Sequence, residues 1–555
     1  MNTENPRGWC ESVEDSARDQ HRLNAVIAFA DNVLKEGRDC YRSEPSPLFA
    51  DGINVRTKEH IKWRFPGGSE AVLSNLASQQ NLFRTFAALT FLTGDEQYKQ
   101  AGKAAIQYHF DHLQSECGLM QWGGHRFIDL KTLNISGAIE KSGMVHELKN
   151  HFPYYEFMYE VNPAATVKYI RALWNAHVFN WNTLEISRHG SYGLKSSRLW
   201  ASPFQEAEPF SEVKGLSFLN AGNDLIYASG MLYKLAGEKG ALLWLKRLAR
   251  QYNKARNPIT GLGAYQFNQA KKVQHTEDDS NTLSGFGDRA KRQFGPEFGE
   301  AALEGKMLLE EQANTVYYEN PIMQLQLASE LGEVVKELAQ WSRQGLSALL
   351  KYGYVSESNS FRPMLTDGTD LSGYELKRDG YYGKKSSVLC PFPASSKFLL
   401  AYVRTFIHTG DESLWEAARS MAKGNNLGDI GREPGVDADM DFRSPCDDPR
   451  ALYAMLDVYL TFGHPKYLEM ARKIGDNIIA KKFHFGYFLP ARNSKYANFD
   501  TAEPLALLAL QAAIEGKQHG VPAFIDGKGF FHANMEAGDG SVKSWKSPQL
   551  YKETI

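Results

Sequence analysis

The stretch FLLAYVRTFIHTGDESLWEAARSMA, residues Phe398–Ala422, contains the pattern that decides the fold. Its first part repeats apolar residues mostly at steps of three and four, the spacing of one buried helix face. These residues are Phe398, Leu399, Tyr402, Val403 and Phe406. Thr409-Gly410-Asp411 closes this helix, and a second helix follows from Leu414 to Ala422. The stretch therefore predicts two helices joined by a tight turn.

The same pattern returns elsewhere in the chain. Ser69 is a suitable N-cap for a long helix reaching Leu92, and Glu96–Leu113 is its predicted antiparallel partner after Gly94-Asp95. Further helices are predicted at Asn24–Val33, Ala221–Ala236 with Leu242–Tyr252, Pro321–Ser329 with Val334–Tyr352, and Tyr453–Phe462 with Tyr467–Ile474. In one of these pairs Asn320 is the expected N-cap, and Pro321 suits the first helical position.

These helical hairpins define the expected architecture. Their spacing is too irregular for a solenoid with a fixed period. They suit helices arranged in a ring, with a cleft formed by loops at one end. Strand signals are few and short, and the candidates are Thr260–Asn268 and His484–Pro490. Because no Pro/Ser-rich linker divides the chain, we expect one mainly α-helical domain over residues 1–555.

The composition excludes several classes of function. A hydrophobic content of 43% with 23% charged residues is typical of an ordinary globular protein, and a net charge of -2 gives no support for nucleic-acid binding. The five cysteines form no CxxC pair, so neither a disulfide framework nor a thiolate zinc site is indicated. The polar N-terminus is unlike a secretory signal, and no apolar run could span a bilayer. We therefore expect a cytoplasmic protein without a membrane or nucleic-acid partner, and the oligomeric state stays open.

The candidate chemistry centres on LEISRHGSYG, residues Leu184–Gly193, a connection rich in glycine and serine. His189 in this stretch, His125 after two glycines, and Glu147 in a segment with helical spacing make two imidazoles and one carboxylate. Such a set with open positions is a recurring site for a divalent transition metal. Arg188 adjoins His189, and since chain neighbours point in different directions, one can bind a metal while the other faces substrate.

Other histidines compete for the same role. His146 and His151 flank Glu147, and His177 lies on a helix-like stretch where a core position or a place behind the ligands is expected. His109 and His112 are about one helical turn apart, which suits either a metal or the exposed face of a helix. The run HELKNH is not an HExxH site, because Asn150 stands where the second histidine is needed.

Two loops combine basic and aromatic residues. Glu277–Gly295 clusters three cations, and Tyr374–Lys385 is the second loop. The three cations are Arg289, Lys291 and Arg292. Such loops suit an acidic sugar, whose carboxylate takes arginine or lysine and whose ring can stack, although either loop alone is also explained as a solvated charge run.

The stretches WGGHRFIDL, MVHELKNHFPYYEFMYEV, RALWNAHVFNW and SRHGSYG, in this order, resemble family 2 polysaccharide lyases, which are pectate lyases. The resemblance is strongest from about Gly118 to Gly193, and SPLFADGI near the N-terminus is also similar. It implies an (α/α)7 barrel and a transition metal, typically manganese, with cobalt or nickel as alternatives. It further implies that His125, Glu147 and His189 bind the metal and that Arg188 is the catalytic base.

The resemblance also implies a reaction. A pectate lyase removes the C5 proton of a galacturonate and expels the C4 oxygen, and a divalent metal on the uronate carboxylate stabilises the charge that develops. A guanidinium ordinarily has a pKa above about 12, so we predict an alkaline optimum for an arginine base. The branch that the chain resembles is cytoplasmic and exo-acting, and releases unsaturated digalacturonate from oligogalacturonate. Arg289 is the candidate for binding a substrate carboxylate.

Two other interpretations remain open from the sequence. One is a glycoside hydrolase of an α/α toroid acting on uronyl oligosaccharides, which needs acidic residues and no metal. Its candidate acids are Asp278, Asp279, Asp437 and Asp439. The other is a helical sugar-binding or scaffold protein, in which the histidines are structural. Sensitivity to a chelator and the appearance of an unsaturated product separate these from a lyase.

Overall fold

The computed structural model describes residues 13–137, 139–140, 143–193, 198–205, 217–267, 289–529, 531–536 and 540–555. Helices dominate these residues, as predicted. They are α1 (Val13–Glu36), α2 (Gln80–Thr93), α3 (Glu96–His112), α4 (Tyr155–Val161), α5 (Pro163–His177), α6 (Leu219–Ala236), α7 (Lys239–Lys254), α8 (Arg289–Phe298), α9 (Glu310–Asn314), α10 (Asn320–Leu331), α11 (Glu337–Gly353), α12 (Ser396–Thr409), α13 (Glu412–Gly424), α14 (Pro449–Phe462), α15 (Pro465–Lys482), α16 (Glu503–Glu515) and α17 (Ser547–Leu550).

Fourteen of these helices form two concentric rings. The inner ring consists of α2, α4, α6, α10, α12, α14 and α16, in which successive helices pack from α4 through α16 and α16 packs on α2. Phe83 of α2 and Phe157 of α4 close the ring with their ring centroids 6.4 Å apart. Each inner helix pairs with an outer one, namely α3, α5, α7, α11, α13, α15 and, for α16, α1. The described chain is therefore an (α/α)7 barrel, which confirms the predicted fold.

The α12–α13 hairpin shows why the sequence folds in this way. Four residues of the apolar stripe of α12 are buried and Phe406 is half-buried, while Leu399 and Val403 are fully enclosed. Burying each such side chain contributes about 1.5–3 kcal/mol. Gly410 ends the helix at φ 69°, a left-handed conformation that glycine adopts without strain, and Asp411 caps α13 by accepting a hydrogen bond from the backbone N–H of Ser413 at 3.1 Å. The residues that close one helix thus also begin the next.

Short strands occupy the loops between the helices. They are β1 (Gly52–Asn54), β2 (Lys62–Arg64), β3 (Glu70–Ser74), β4 (Arg126–Asp129), β5 (Ile135–Gly137), β6 (Ile139–Glu140), β7 (Gly143–Glu147), β8 (Val178–Asn180), β9 (Glu185–Ile186), β10 (His189–Ser191), β11 (Met307–Leu308), β12 (Tyr354–Val355), β13 (Ser360–Phe361), β14 (Met364–Leu365), β15 (Phe392–Pro393), β16 (Gly428–Asp429), β17 (Asp439–Met440), β18 (Phe483–His484), β19 (Tyr487–Phe488), β20 (Tyr496–Asn498), β21 (His532–Glu536) and β22 (Val542–Lys546). Two small sheets position the site: β2-β3-β4-β5 and β10-β7-β6.

Strands were harder to predict than helices. The candidate at His484–Pro490 is confirmed as the β18–β19 hairpin. The candidate at Thr260–Asn268 is wrong: its described part is irregular, with one isolated bridge from Gln266 to Phe218, and residue 268 lies outside the described chain. A short apolar run reads alike in a strand and in a buried loop, since only a pairing partner distinguishes them.

Two helix starts were also predicted wrongly. Ser69 does not cap a helix, because the apolar run after it pairs with β2 and β4 as strand β3, and α2 begins only at Gln80. Asn320 is no N-cap, because it has helical dihedral angles, φ −65° and ψ −51°. There α9 continues through a π-helical turn, Thr315–Glu319, into α10. In both places tertiary contacts prevailed over the local cap signal.

The segment after α16 lies against the inner helices and leads to the site. The ring of Phe524 stacks on that of Tyr453 in α14 with centroids 4.3 Å apart. Further along, Asp526 accepts hydrogen bonds from Arg450 at 3.0 and 2.6 Å, and Lys528 pairs with Glu319. The segment then reaches the site loops, where the backbone N–H of Lys528 donates to the carbonyl oxygen of Asn150 at 2.7 Å. In the described chain no helix combines the length and apolar character needed to cross a bilayer.

Candidate metal centre and substrate cleft

The antiparallel ribbon of β7 and β10 brings two of the predicted site residues together. In its register Glu147 lies opposite His189, and His146 lies opposite Gly190. Successive residues of a strand point to opposite faces, so Glu147 and His189 share one face while His146 points to the other. Glu147 therefore lies in a strand, and the helical segment predicted around it is wrong for its first part, because the helix begins only at Tyr155.

His125 reaches the same carboxylate from the loop before β4. Its Nε2 lies 3.4 Å from Oε2 of Glu147, and its Nδ1 lies 3.0 Å from the backbone carbonyl oxygen of His532. Because a carbonyl oxygen only accepts, Nδ1 carries the proton and Nε2 is left as the ligand atom. A Cβ on Gly124 would overlap the carboxylate of Glu147, so a glycine is needed there for this close approach.

These three side chains form a cluster with the chemistry of a metal site. Nε2 of His189 lies 3.4 Å from Oε1 of Glu147, and the ring centroids of the two histidines are 5.2 Å apart. One ligand atom from each residue lies within 4.8 Å of the others, and among the described residues no second His/Cys/Asp/Glu cluster of this kind occurs. Two imidazole nitrogens and one carboxylate oxygen suit a divalent transition ion and leave coordination positions for another ligand.

The electrostatics favour the metal-binding forms of Glu147 and His125. Burial alone raises the pKa of Glu147, but the positive charges of Lys149 and Arg188, followed by that of His125, hold it well below its ordinary value. Lys149 Nζ lies 2.8 Å from Oε1 of Glu147, and burial lowers the pKa of this lysine to about 8. Burial likewise lowers the pKa of His125. An ionised carboxylate beside a neutral imidazole is what a metal ion requires.

Arg188 lies directly beside the cluster. Its Nε is 3.0 Å from Oε1 of Glu147, and its guanidinium lies over the ring of Phe218, 4.5 Å from the centroid. Its carbonyl oxygen accepts a hydrogen bond from the backbone N–H of Leu148 at 3.1 Å. The expectation that Arg188 and His189 point to different places is therefore modified: both side chains reach the same carboxylate.

The competing histidines lie outside this cluster. His146 and His177 contact one another behind the ribbon, with Nδ1 and Nε2 2.8 Å apart, and burial lowers the pKa of His177 to about 4. His151 lies between two backbone carbonyl oxygens, of Glu147 and Lys528. His109 is buried in α3, where burial lowers its pKa to about 3, and His112 is exposed.

Arg289 lies at the start of α8, away from the metal cluster. Its backbone N–H donates to Oε1 of Glu304 at 2.9 Å, and its guanidinium lies 3.9 Å from the ring centroid of Tyr381, which is 39% exposed. Burial and then Glu311 raise the pKa of Tyr381, while Arg289 and Arg188 act against this rise. Arg188 and Arg289 are therefore both near enough to the Tyr381 hydroxyl to lower its pKa.

The two basic loops predicted from the sequence meet at Tyr381. Of the first, residues 277–288 lie outside the described chain, including Asp278 and Asp279 of the hydrolase interpretation; from residue 289 onward it is α8. The second, Tyr374–Lys385, is fixed to α8 by Gln293. Its side chain accepts from the backbone N–H of Tyr382 at 3.0 Å and donates to the carbonyl oxygen of Gly383 at 2.9 Å. The other two proposed acids, Asp437 and Asp439, are exposed in the β16–β17 hairpin.

Sequence reasoning missed two residues of the site. Lys149 is two positions after Glu147 and shares its face, which would follow from a strand assignment, but that segment was interpreted as a helix. The carbonyl of His532 orients His125 from the C-terminal part of the chain. No local pattern could have indicated that contact, because it depends on the path of the segment after α16.

The fold and the cluster together define an (α/α)7-barrel protein with a two-histidine, one-glutamate site suited to a divalent transition metal. The family model described as periplasmic pectate lyase matches residues 46–534, and the chain belongs to this family. It is also 35% identical over 543 residues, 96% of each chain, to a pectate disaccharide-lyase of Dickeya dadantii strain 3937. The resemblance stated from the sequence motifs is thereby confirmed.

Solved structures of other enzymes show only a distant likeness. A D-mannose isomerase is 12% identical with a TM-score of 0.41, over 76% of this chain and 90% of that chain. A cellobiose 2-epimerase from Spirochaeta thermophila is 10% identical with a TM-score of 0.42, over 91% of this chain and 99% of that chain. The barrel assignment rests on the helix packing described above and not on these low scores.

Proposed function

We propose that this protein cleaves oligogalacturonate by metal-assisted β-elimination, acting from a chain end and releasing unsaturated digalacturonate. The observation that carries the proposal is the cluster of His125, Glu147 and His189 with Arg188 against the same carboxylate. The family supports the reaction class, and the named relative, a pectate disaccharide-lyase, supports the exo mode and the disaccharide product.

The residues of the site have different proposed roles in the elimination. His125, Glu147 and His189 would hold the metal, for which we propose manganese, with cobalt or nickel as alternatives. When bound, the ion supplies Lewis-acid stabilisation of the negative charge that develops on the uronate carboxylate. Arg188 would take the C5 proton as the bond to the C4 oxygen breaks, leaving a 4,5-unsaturated sugar. An arginine base predicts an alkaline optimum, and a turnover profile that peaks in the acid range contradicts this role.

Substrate binding is assigned to residues outside the metal cluster. We propose that Arg289 binds a galacturonate carboxylate, because it is a cation at the start of α8 whose charge, like that of Arg188, acts on Tyr381. Tyr381, partly exposed against Arg289, offers an aromatic surface for the sugar ring. Two guanidinium groups whose charges both act on one tyrosine suit a substrate that carries a carboxylate on every sugar.

We propose separately that the protein acts in the cytoplasm. The family description names the periplasm, whereas the sequence interpretation predicts the cytoplasm, where short oligogalacturonates are the expected substrate. Cell fractionation, followed by immunodetection of the chain against markers of both compartments, decides between them.

The test of function follows the ultraviolet absorbance of the unsaturated carboxylate, which elimination creates and hydrolysis does not. Trigalacturonate is incubated with the protein as purified, after chelation, and after manganese is added back. We expect a rise that the chelator abolishes and that manganese restores, with equal molar amounts of unsaturated dimer and galacturonate. No rise under any of these conditions, at neutral or alkaline pH, overturns the proposal, and new reducing ends without absorbance would establish a hydrolase.

Two variants localise the reaction. His189→Ala is expected to lose metal-dependent activity, because it removes one of three ligands. His112→Ala removes an exposed histidine outside the cluster and serves as the matched control, with activity expected to equal that of the wild type. Equal activity of both variants would contradict the assigned site.

A further inference from the structure

The back of the β7–β10 ribbon carries a second, fully buried pair of histidines. His146 points away from the metal cluster, and its Nδ1 lies 2.8 Å from Nε2 of His177 at the end of α5. Nδ1 of His177 lies 2.8 Å from the carbonyl oxygen of Ser187. Neither imidazole has measurable exposure. The ribbon is thus bounded by ligands on one face and by a histidine chain on the other.

The hydrogen-bond partners fix the proton on each ring. The carbonyl oxygen of Ser187 can only accept, so Nδ1 of His177 is the donor. In a neutral imidazole the other nitrogen is then an acceptor, and Nδ1 of His146 must donate to it. The chain therefore has one direction, His146 to His177 to Ser187, and both rings carry their proton on Nδ1.

The same ring limits where β10 can lie. A Cβ on Gly190 would be 2.6 Å from Nε2 of His177, which is closer than real side chains allow, so the strand packs flat on this imidazole. The backbone N–H of Ser187 also donates to the carbonyl of His177 at 2.8 Å, and Ser217 Oγ donates to the carbonyl of Ile186 at 2.8 Å. Hydrogen bonds from outside the ribbon therefore fix Ile186 and Ser187, the residues that lead into β10.

Arg188 and His189 follow Ser187 directly in the chain, so whatever fixes Ser187 also sets the position of both. We propose that His177, supported by His146, is a positioning residue that holds the start of β10 and thereby sets the distance of His189 and Arg188 from Glu147. It touches neither metal nor substrate and acts through Ser187. This inference rests on the proposed function. It gives a reason why His146 and His177, which are not ligands, lie beside the metal site.

Two substitutions separate positioning from packing. His177→Asn keeps a donor close to the position of Nδ1 and can still bind the Ser187 carbonyl, whereas His177→Leu removes both polar contacts. His109→Leu is the control, because it also deletes a buried histidine but lies in α3 and not in the ribbon or in α5. Manganese affinity of the metal-free proteins is measured by calorimetry, together with melting temperature, kcat and KM.

We expect His177→Leu to bind manganese about 10–100-fold more weakly, the range for disturbing a group that orients a ligand. Its kcat at saturating manganese should fall more than its KM rises, because Arg188 moves as well. His177→Asn should stay within about threefold of the wild type in metal affinity. His109→Leu should lower the melting temperature and leave manganese affinity unchanged.

Three results would overturn the inference. Manganese affinity of His177→Leu equal to that of His109→Leu would make His177 a packing residue, and equal weakening in His177→Asn would remove the role of the Ser187 contact. Nitrogen NMR of the metal-free wild type showing the proton of His177 on Nε2 would contradict the hydrogen-bond direction. These outcomes differ from failure of the proposed function, in which the wild type itself neither binds manganese nor produces unsaturated sugar.

Discussion

Gly124→Ala tests the metal centre with a single methyl group. A Cβ at this position would lie 2.8 Å from Cδ of Glu147, while ordinary contacts of real Cβ atoms begin at 3.4 Å. To reach ordinary contact, the carboxyl carbon retreats by about 0.6 Å, the difference between these distances, and Oε2, which lies nearer, retreats further. Gly124 itself has no left-handed backbone angle, so the effect is steric and not a matter of backbone strain.

The size of the effect follows from how tightly metals define their ligands. Ligand distances at a metal site hold to within about 0.2 Å, so a shift of this size removes Glu147 from the coordination sphere or forces the ion away from one histidine. We expect manganese affinity to fall at least about 10-fold, equivalent to about 1.4 kcal/mol. Overpacking should also lower the free energy of unfolding of the metal-free protein by about 1–3 kcal/mol.

The assay is calorimetric titration of manganese into metal-free protein, with denaturant unfolding of the same samples. Gly193→Ala is the matched control, because among the described residues the nearest contact of a Cβ there would be Ser191 Oγ at 3.8 Å. If Gly124→Ala binds manganese within about threefold of both the wild type and this control, the carboxylate of Glu147 does not hold the ion and the reasoning fails.

Three further predictions concern the base, the metal and a buried acid. Arg188→Lys should lower kcat by about 10²–10⁴-fold with manganese affinity nearly unchanged. An unchanged kcat in steady-state kinetics would exclude Arg188 as the base. Manganese at 100 times its Kd should stabilise the wild type by about 2.7 kcal/mol, whereas His125→Ala should gain much less in thermal unfolding; an equal gain would exclude His125 as a ligand. Burial raises the pKa of Asp224 to about 7, so the folded protein favours the protonated carboxyl. The stability that the protonated carboxyl contributes is fully present below about pH 3.8 and is lost as pH rises to about 7. Asp224→Asn avoids this loss, and its stability relative to the wild type should rise between pH 4.5 and 8 in urea unfolding; a constant difference would contradict the shift.

The helical hairpins were predictable because their signals are local. An apolar stripe of helical period ending in Gly410-Asp411 needs no knowledge of the rest of the chain, and the four other complete pairs were found in the same way. The failures at Ser69 and Asn320 have the opposite cause. There a good cap residue stands beside a segment whose structure is set by distant partners, the β2 and β4 strands in one case and a continuous α9–α10 helix in the other.

The residues of the candidate metal cluster could be named from the sequence, but their spatial arrangement could not. Two histidines and a glutamate could be named because their stretches resemble a family, whereas composition and spacing alone left His146 and His151 as competing candidates. The β7–β10 register separates them, since it turns Glu147 and His189 to one face and His146 to the other. Lys149 beside Glu147 and the His532 carbonyl behind His125 emerge only from that packing.

The sequence by itself determined the class of fold, five of its helical hairpins and the residue types of a metal site, because helix periodicity, caps and motif resemblance are encoded within a few turns of chain. Tertiary structure alone decided which nitrogen and oxygen atoms converge. Convergence depends on strand register and on the path of the segment after α16, and one residue of register exchanges the two faces of a strand. The contact from His125 to His532 joins positions whose separation along the chain carries no local signal, and only the closed barrel brings them within 3.0 Å.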